Sequence, residues 1–473
     1  MLPNGSALAQ SPGAPPTGQP GNSAPAAPAE RNNPVPGQTG SGEQAAGAST
    51  GFWDRSNLFG TLGGLRTVLD GYGMSLGLAD TGEVLGNPTG GRARGAVFEG
   101  VTAMSVGADL EKAIGLRGGI LNASAFQIHG RGLSTNNVDN LNTVSNIEAD
   151  RSTRLFELWY QQAFLDGKVD VKIGQQSADL EFMITQYGGL FINATFGWAG
   201  LPTVDLPSGG NAYPLGTPGI RLRAQPSPAT TVLFGVFNGS PAGIGLGDPQ
   251  LRDRAGTNFD LNSGVFIIGE VQYALNPGDA GTGLAGTYKL GAWYNSDAFT
   301  DQFYTVGGTT AASAFSNPPG ARKNDWSAYA VVDQLIYRSA GSKDGGAGVF
   351  ARAMGAPGDR NTINVFVDGG FTYKGAFGRA NDTTGLGVQW ARISDTARRG
   401  DSALAAFTGG HYPIRTSETM LEATYQAQLA PWWFVQPDIQ YVLNPGGGIL
   451  NPSRPDKRLA DAIVFGLRTS IVF

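Results

Sequence analysis

Cysteine is absent from this chain of 473 residues, so neither a disulfide framework nor thiol chemistry is available to it. Histidine is nearly absent: only His129 and His411 occur, both in or beside segments that read as loops, and no Ser, His and acid arrangement can be picked out. No His or Cys metal spacing exists, which leaves loop Asp and Asn side chains as incidental calcium ligands at most. No apolar run is long enough for a spanning helix, so a membrane crossing would have to be made by strands. Charge is sparse too, at 15% of residues, and the net value of −5 provides no footprint for nucleic acid.

Glycine is plentiful instead, with 72 residues, and the composition is ill suited to large helical domains. Residues 1–50 are rich in Pro, Gly, Ala and Ser and have almost no bulky apolar side chains, and they read as a disordered tether. "ALAQ" (Ala7 to Gln10) has the small-x-small form of a secretory cleavage site, without the positive and apolar regions that should precede it. Residues 51–71 read as a periplasmic N-terminal segment, and 72–473 as one barrel.

Period-two counting places strands near 72–80, 96–110, 116–129, 153–165, 168–177, 219–225, 229–238, 263–275, 286–296, 326–338, 347–356, 363–375, 382–394, 416–429, 432–444 and 461–473. Tight connections such as "LDGK" (165–168) and "LAPW" (429–432) interleave with long ones near 130–152, 239–262, 297–325 and 395–415. An even number of strands, short turns at one end and long loops at the other describe an all-β, antiparallel transmembrane barrel of about 16 strands. The parity of 326–338 is ambiguous, because Asp333 shares a face with Tyr329, Val331 and Leu335. "GTGLAG" (281–286) matches a dinucleotide fingerprint but joins two strands with no helix to receive a pyrophosphate, and reads as a turn.

The last strand, "AIVFGLRTSIVF", puts Phe465, Leu467, Ile471 and Phe473 on one bulky face. Phe465 and Phe473 are about 26 Å apart at 3.3 Å per residue, close to the height of a lipid band with a ring at each edge. That face belongs in lipid, with Phe473 as a membrane-edge anchor.

Opposite parity identifies the lumen. Glu157, Trp159 and Gln161 lie opposite Phe156, Leu158 and Tyr160, and Lys168, Asp170, Lys172 and Gln176 lie opposite Val169, Val171 and Ile173. Arg221, Arg223, Glu270, Gln272, Trp293, Glu418, Glu422, Gln436, Asp438, Gln440 and Arg468 face inward by the same rule. Both signs of charge suit neutral polyols: carboxylates and amides bond hydroxyls, Arg donates in a fixed fork, and an indole face packs on sugar C–H groups. The same residues could equally form a solvated, cross-strand paired wall. Paired carboxylates could also serve a glycosidase, but many lumenal carboxylates are expected in any water-lined barrel, and no enzymatic reading is favoured.

Residues 179–217 are too long for a turn, rich in aromatics and free of Lys and Arg. Such a segment is expected to fold inward and narrow the pore, with Trp198 among its buried rings and with Asp179, Glu181 and Asp205 facing Lys172, Arg221 and Arg223.

Three stretches, "LFGTLGGLRTVLDGYGMSLGLADTGEVLGNPTGG" (58–91), "RLFELWYQQAFLDGKVDVKIGQQSADLEF" (154–182) and "WWFVQPDIQYVLNPGGG" (432–448), resemble the carbohydrate-selective porins, the OprB family. Thr61 and Leu62 stand where that family often has an acidic residue and Trp, and the Pro-rich tether is an addition. The resemblance implies a sixteen-stranded barrel in a Gram-negative outer membrane that passively admits glucose and other small sugars, without a cofactor. It also implies that Phe473 is the signal read by the barrel-assembly machinery. Partners expected are small sugars and outer-membrane lipid; monomer and trimer stay open. A general or organic-acid porin, and a soluble or surface carbohydrate-binding β protein, are the alternatives.

Overall fold

The computed structural model describes residues 51–277, 283–310, 318–340 and 345–473. The tether read in residues 1–50 and the start of "GTGLAG" lie outside them. Sixteen antiparallel strands close into a barrel, each paired with its sequence neighbour, and Ala460–Val472 closes on Met74–Gly91. A two-stranded hairpin, Leu450–Asn451 with Arg454–Arg458, and a helix, Asp395–Phe407, sit in long loops outside the sheet.

The first strand is Met74–Gly91, longer than alternation alone suggests. Gly82, Gly86 and Asn87 interrupt the side-chain pattern, yet the backbone ladder runs on to Asn87 opposite Gly95. Gly286–Thr305 and Pro319–Arg338 likewise extend well into the segment read as a loop at 297–325.

Closure places Val84, Phe98, Leu158, Ile173, Leu290 and Leu467 exposed on the outer face, as a lipid-facing sheet requires. The segment from residue 51 and Phe473 share the short-turn end of the barrel, opposite the long loops.

Parity fails in one strand for an identifiable reason. In Ser152–Phe164 the register steps from Ser124 opposite Glu157 to Ala125 opposite Leu155, so Phe156 is the extra residue of a β-bulge. Phe156, expected outside, therefore points inward, where its ring lies 4.7 Å from that of Phe126. The bulge also brings Arg154 inside, buried and bonded to the Gln250 carbonyl at 3.1 Å.

Candidate functional site

Two segments of the long-loop end fold back into the barrel: residues 131–151 and residues 177–216. The second has the composition to do so, because without Lys or Arg it carries no cation to desolvate and its rings need burial. Phe182, Phe191, Phe196, Trp198 and Tyr213 are all fully buried. Short turns at Ala178–Leu180, Gly188–Leu190 and Ala194–Phe196, and a helical turn Gly200–Asp205, compact it, and Asn193 caps one of them through the Thr195 N–H at 3.1 Å.

The barrel wall is shaped to receive these rings. The rings of Phe191 and Phe196 lie 4.4 Å apart, tilted by 31°, and pack on Phe350 at 5.7 and 5.8 Å. Opposite them stand Gly385 and Gly387, where an added Cβ would lie 2.7 Å from Leu190 and 2.5 Å from Phe196 respectively. Tyr329 and Val331 face inward with Asp333, which resolves the ambiguous strand: part of the inner wall is apolar because a loop, not water, covers it. Trp293 belongs to that apolar wall. It packs with Phe266 under the segment and is only 2% exposed, so it is no platform for a solute. Trp198 is likewise locked in the segment's own core, its indole N–H donating to the Gly209 carbonyl at 3.1 Å.

Several of the expected lumenal polar residues hold the inserted segments. Glu418 accepts from the N–H groups of Leu141 (2.7 Å) and Asn142 (2.8 Å). Glu422, beside Asp438 across the strand pair from Gln440, accepts from Ile192 (2.6 Å) and Asn193 (3.1 Å). Glu270 takes the Met183 N–H at 2.8 Å, the Tyr329 hydroxyl at 2.9 Å and the Gln272 amide at 2.7 Å. Gln436 and Gln440 donate to the carbonyls of Leu190 (2.8 Å) and Val144 (2.9 Å), and Gln440 also to Asp438. Arg468 joins Glu83 at 2.9 Å and reaches Asn146 at 2.7 Å. A buried backbone donor needs an acceptor, and an ionised carboxylate is the strongest side-chain acceptor on hand.

Sequence reasoning missed the inward folding of 131–151 and missed Arg352. Arg352 is fully buried and donates to the carbonyls of Met183 (3.0 Å), Gly197 (2.6 Å) and Thr195 (2.6 Å) while pairing with Asp368. The available signal was its place between Phe350 and Met354 on one strand face: a cation flanked by bulky apolar neighbours on an inner wall implies a covering segment with carbonyls to offer.

A different arrangement lies on the wall between the inserted segment and the short-turn end. Glu181, from the segment, bridges Lys172 and Arg221, with Arg221 Nε 2.6 Å from Glu181 Oε2. Asp170 in turn bridges Arg221 and Arg223, the latter at 2.6 Å. Gln161 accepts from Arg221 at 3.3 Å, the Lys172 ammonium sits 4.9 Å from the centre of the Trp159 ring, and Glu157 accepts from the Ser177 N–H at 3.3 Å. Gln176 donates to the Gly219 carbonyl at 3.0 Å, whereas Lys168 is exposed in the tight turn. Burial pushes the Glu181 carboxyl up, but its ion pairs and hydrogen bonds with Lys172 and Arg221 outweigh this and hold it below the usual carboxylate range. Glu181 and Arg223 keep some solvent access, with side chains 16% and 23% exposed.

Asp179 and Asp205 do not face these cations. Asp179 closes its own segment, accepting from Ser177 Oγ and from the Tyr213 N–H at 3.1 Å. Asp205 accepts from the N–H groups of Thr362 (2.7 Å) and Ile363 (3.0 Å) on the far wall. Both carboxylates take backbone donors, because buried N–H groups must be satisfied.

Two buried carboxyls make the seating of both segments an expected function of pH. Burial pushes the Glu148 carboxyl up to about 7 against bonds from Ser134, and pushes Asp205 up to about 8 against the Thr362 and Ile363 donors. The ordinary values are 4.5 and 3.8, so over these windows the folded state binds more protons than the unfolded one, and stability falls as pH rises. Hydrogen exchange, corrected for intrinsic rates, should show residues 131–151 and 177–216 losing protection between about pH 5 and about pH 8. Glu148→Gln and Asp205→Asn should flatten the change; pH-independent protection in the wild type would refute it.

A family model for the carbohydrate-selective porin, OprB family matches residues 93–473. Porin B of Pseudomonas aeruginosa is 24% identical over 457 residues, covering 91% of this chain and 94% of that protein. The high-pH structure of Pseudomonas putida OprB superposes with a TM-score of 0.76 at 24% identity, covering 90% of this chain and 100% of that one. The low-pH structure of the same protein has a TM-score of 0.54 at 19% identity, covering 89% and 99%.

Proposed function

The chain belongs to the carbohydrate-selective porin, OprB family and is an outer-membrane sugar porin, and from that premise we propose that Glu181, Lys172, Arg221, Arg223 and Asp170 form its solute-selective constriction. The observation that carries this reading is the Glu181 bridge. Elsewhere on the strands the inserted segments are held by apolar packing, by bonds to backbone and by neutral side chains such as Asn146 on Arg468, but here a segment carboxylate pairs with two strand cations, and Glu181 and Arg223 retain solvent access.

Such a cluster suits a neutral polyol. Three cations and two carboxylates already neutralise much of each other, so an anion gains little and a hydroxyl-rich solute can exchange for individual bonds without leaving a charge unpaired. Gln161 adds an amide that accepts or donates, and Glu157 a third carboxylate behind Lys172. Trp159 contributes by holding Lys172 over its ring rather than as an open stacking face. Passage is diffusion down a gradient, with no chemical step. Phe473 serves as the segment read during barrel assembly.

Arg221→Ala and Glu181→Gln are expected to weaken glucose block of single-channel current by about tenfold, the worth of one or two charge-assisted bonds. Folded yield should stay near wild type, since lumen changes expose no charge to lipid. Unaltered block in both variants would move the constriction elsewhere.

A further inference from the structure

The N-terminal segment 51–73 is fixed to the barrel yet buries almost none of its apolar side chains. Leu58 N–H donates to the Val472 carbonyl at 2.8 Å, Arg66 donates to the Phe473 main-chain oxygen, Trp432 Nε1 donates to the Phe52 carbonyl at 3.2 Å, and Asp109 N–H donates to the Gly73 carbonyl at 2.7 Å. With both its ends tied, the segment is a fixed surface. The helix Leu65–Gly71 has no buried residue at all. Leu65, Val68 and Tyr72, spaced i, i+3 and i+7, share one face, and Val68 and Tyr72 are 58% and 68% exposed.

This apolar surface continues the lipid belt of the barrel. Trp433 stands on the outer face opposite Ile471, its indole N–H on Thr469. Trp432 stacks on it at 6.0 Å and Trp53 stacks on Trp432 at 5.9 Å, a ladder of three near-parallel indoles leading from the strand end onto the segment. Phe59 repeats the step, lying 5.4 Å from Phe473, so Phe473 is not the bare edge that alternation suggested. Ile114, in the neighbouring turn, is exposed as well.

We propose that residues 51–73 lie in the interfacial zone of the periplasmic leaflet, with Leu65, Val68 and Tyr72 turned into lipid, forming a half-skirt at the first and last strands. Trp and Tyr rings favour that depth, and a helix with one apolar face lies there in the membrane plane. The contact is apolar rather than electrostatic: Arg55 turns onto the Phe52 ring and the Leu58 carbonyl, and Arg66 onto Gly60 and Phe473, so neither cation is offered to phosphate. Docking should therefore be insensitive to salt and to the anionic lipid fraction.

The absence of cysteine makes a direct test possible. Val68→Cys, Tyr72→Cys and Asp70→Cys, the last on the opposite, solvent-facing side of the helix, are spin-labelled in full-length protein in phosphatidylethanolamine/phosphatidylglycerol vesicles. Labels at 68 and 72 should collide preferentially with oxygen and the label at 70 with a water-soluble nickel chelate, in low and high salt alike. Nickel access equal at all three positions would overturn the proposal in favour of an aqueous segment. Shielding of 68 and 72 from both reagents, or spin–spin broadening that grows with protein density, would overturn it in favour of a second copy. A nickel preference at 68 and 72 appearing only in high salt would overturn the apolar mode of attachment.

Discussion

Excision of residues 188–212, bridged by a short Gly/Ser linker, is expected to raise single-channel conductance several-fold and to weaken sugar block. A barrel of sixteen strands encloses an aqueous channel unless something fills it, and here the filling is largely this segment. The excision removes Phe191, Phe196 and Trp198 and empties the space over Gly385 and Gly387. It also strips the apolar wall of its cover, exposing Phe266, Trp293, Val331 and Phe366 to lumenal water, so thermal stability should fall together with the rise in conductance. Glu181, Lys172 and Arg221 remain, so any residual block reports on their pairing alone. Unchanged conductance in a correctly folded, heat-modifiable deletion would place the segment outside the conducting path.

Arg352→Met is expected to be the most damaging single substitution in the lumen. One guanidinium ties three carbonyls of the inserted segment to the wall and compensates Asp368, and both side chains are fully buried. Its removal leaves a buried carboxylate without a partner and three carbonyls without a donor, for a cost of about 3–5 kcal/mol. Residues 183–197 should become sensitive to protease in the folded barrel, and current traces should show openings to a larger level. Arg352→Met/Asp368→Asn should recover much of the barrel's thermal stability but not the protease resistance, because the neutral Asn removes the stranded charge without supplying donors to the segment. Wild-type protease resistance in Arg352→Met would show that apolar packing alone seats the segment.

The strand pattern was legible because the barrel has lipid outside nearly all of it, so the outward face is uniformly apolar and period two survives single-sequence reading. Where it failed, the missing information was tertiary. The bulge at Phe156 shifts one strand's parity through backbone geometry that no side chain announces. The assumption that inward means polar holds for Asp170, Lys172, Arg221 and Arg223, but not for Tyr329, Val331 and Trp293, which face a protein segment rather than water. Glu418, Glu422, Gln436 and Gln440 were legible as inward but not as anchors, since their partners are backbone groups of segments distant in sequence. Glu181 was legible from charge complementarity with the adjoining strands. Asp179 and Asp205 have the same charge but take backbone donors that composition does not reveal.

The most direct measurement is current block in planar bilayers by glucose and by succinate at matched concentration, on wild type and on Glu181→Gln. A balanced cluster predicts that glucose blocks the wild-type pore and succinate does not. Glu181→Gln, which frees Lys172 of its ion pair and leaves Arg221 with Asp170 alone, should weaken the glucose block and admit block by succinate. Equal block of the wild-type pore by both solutes would contradict carbohydrate selection at this site.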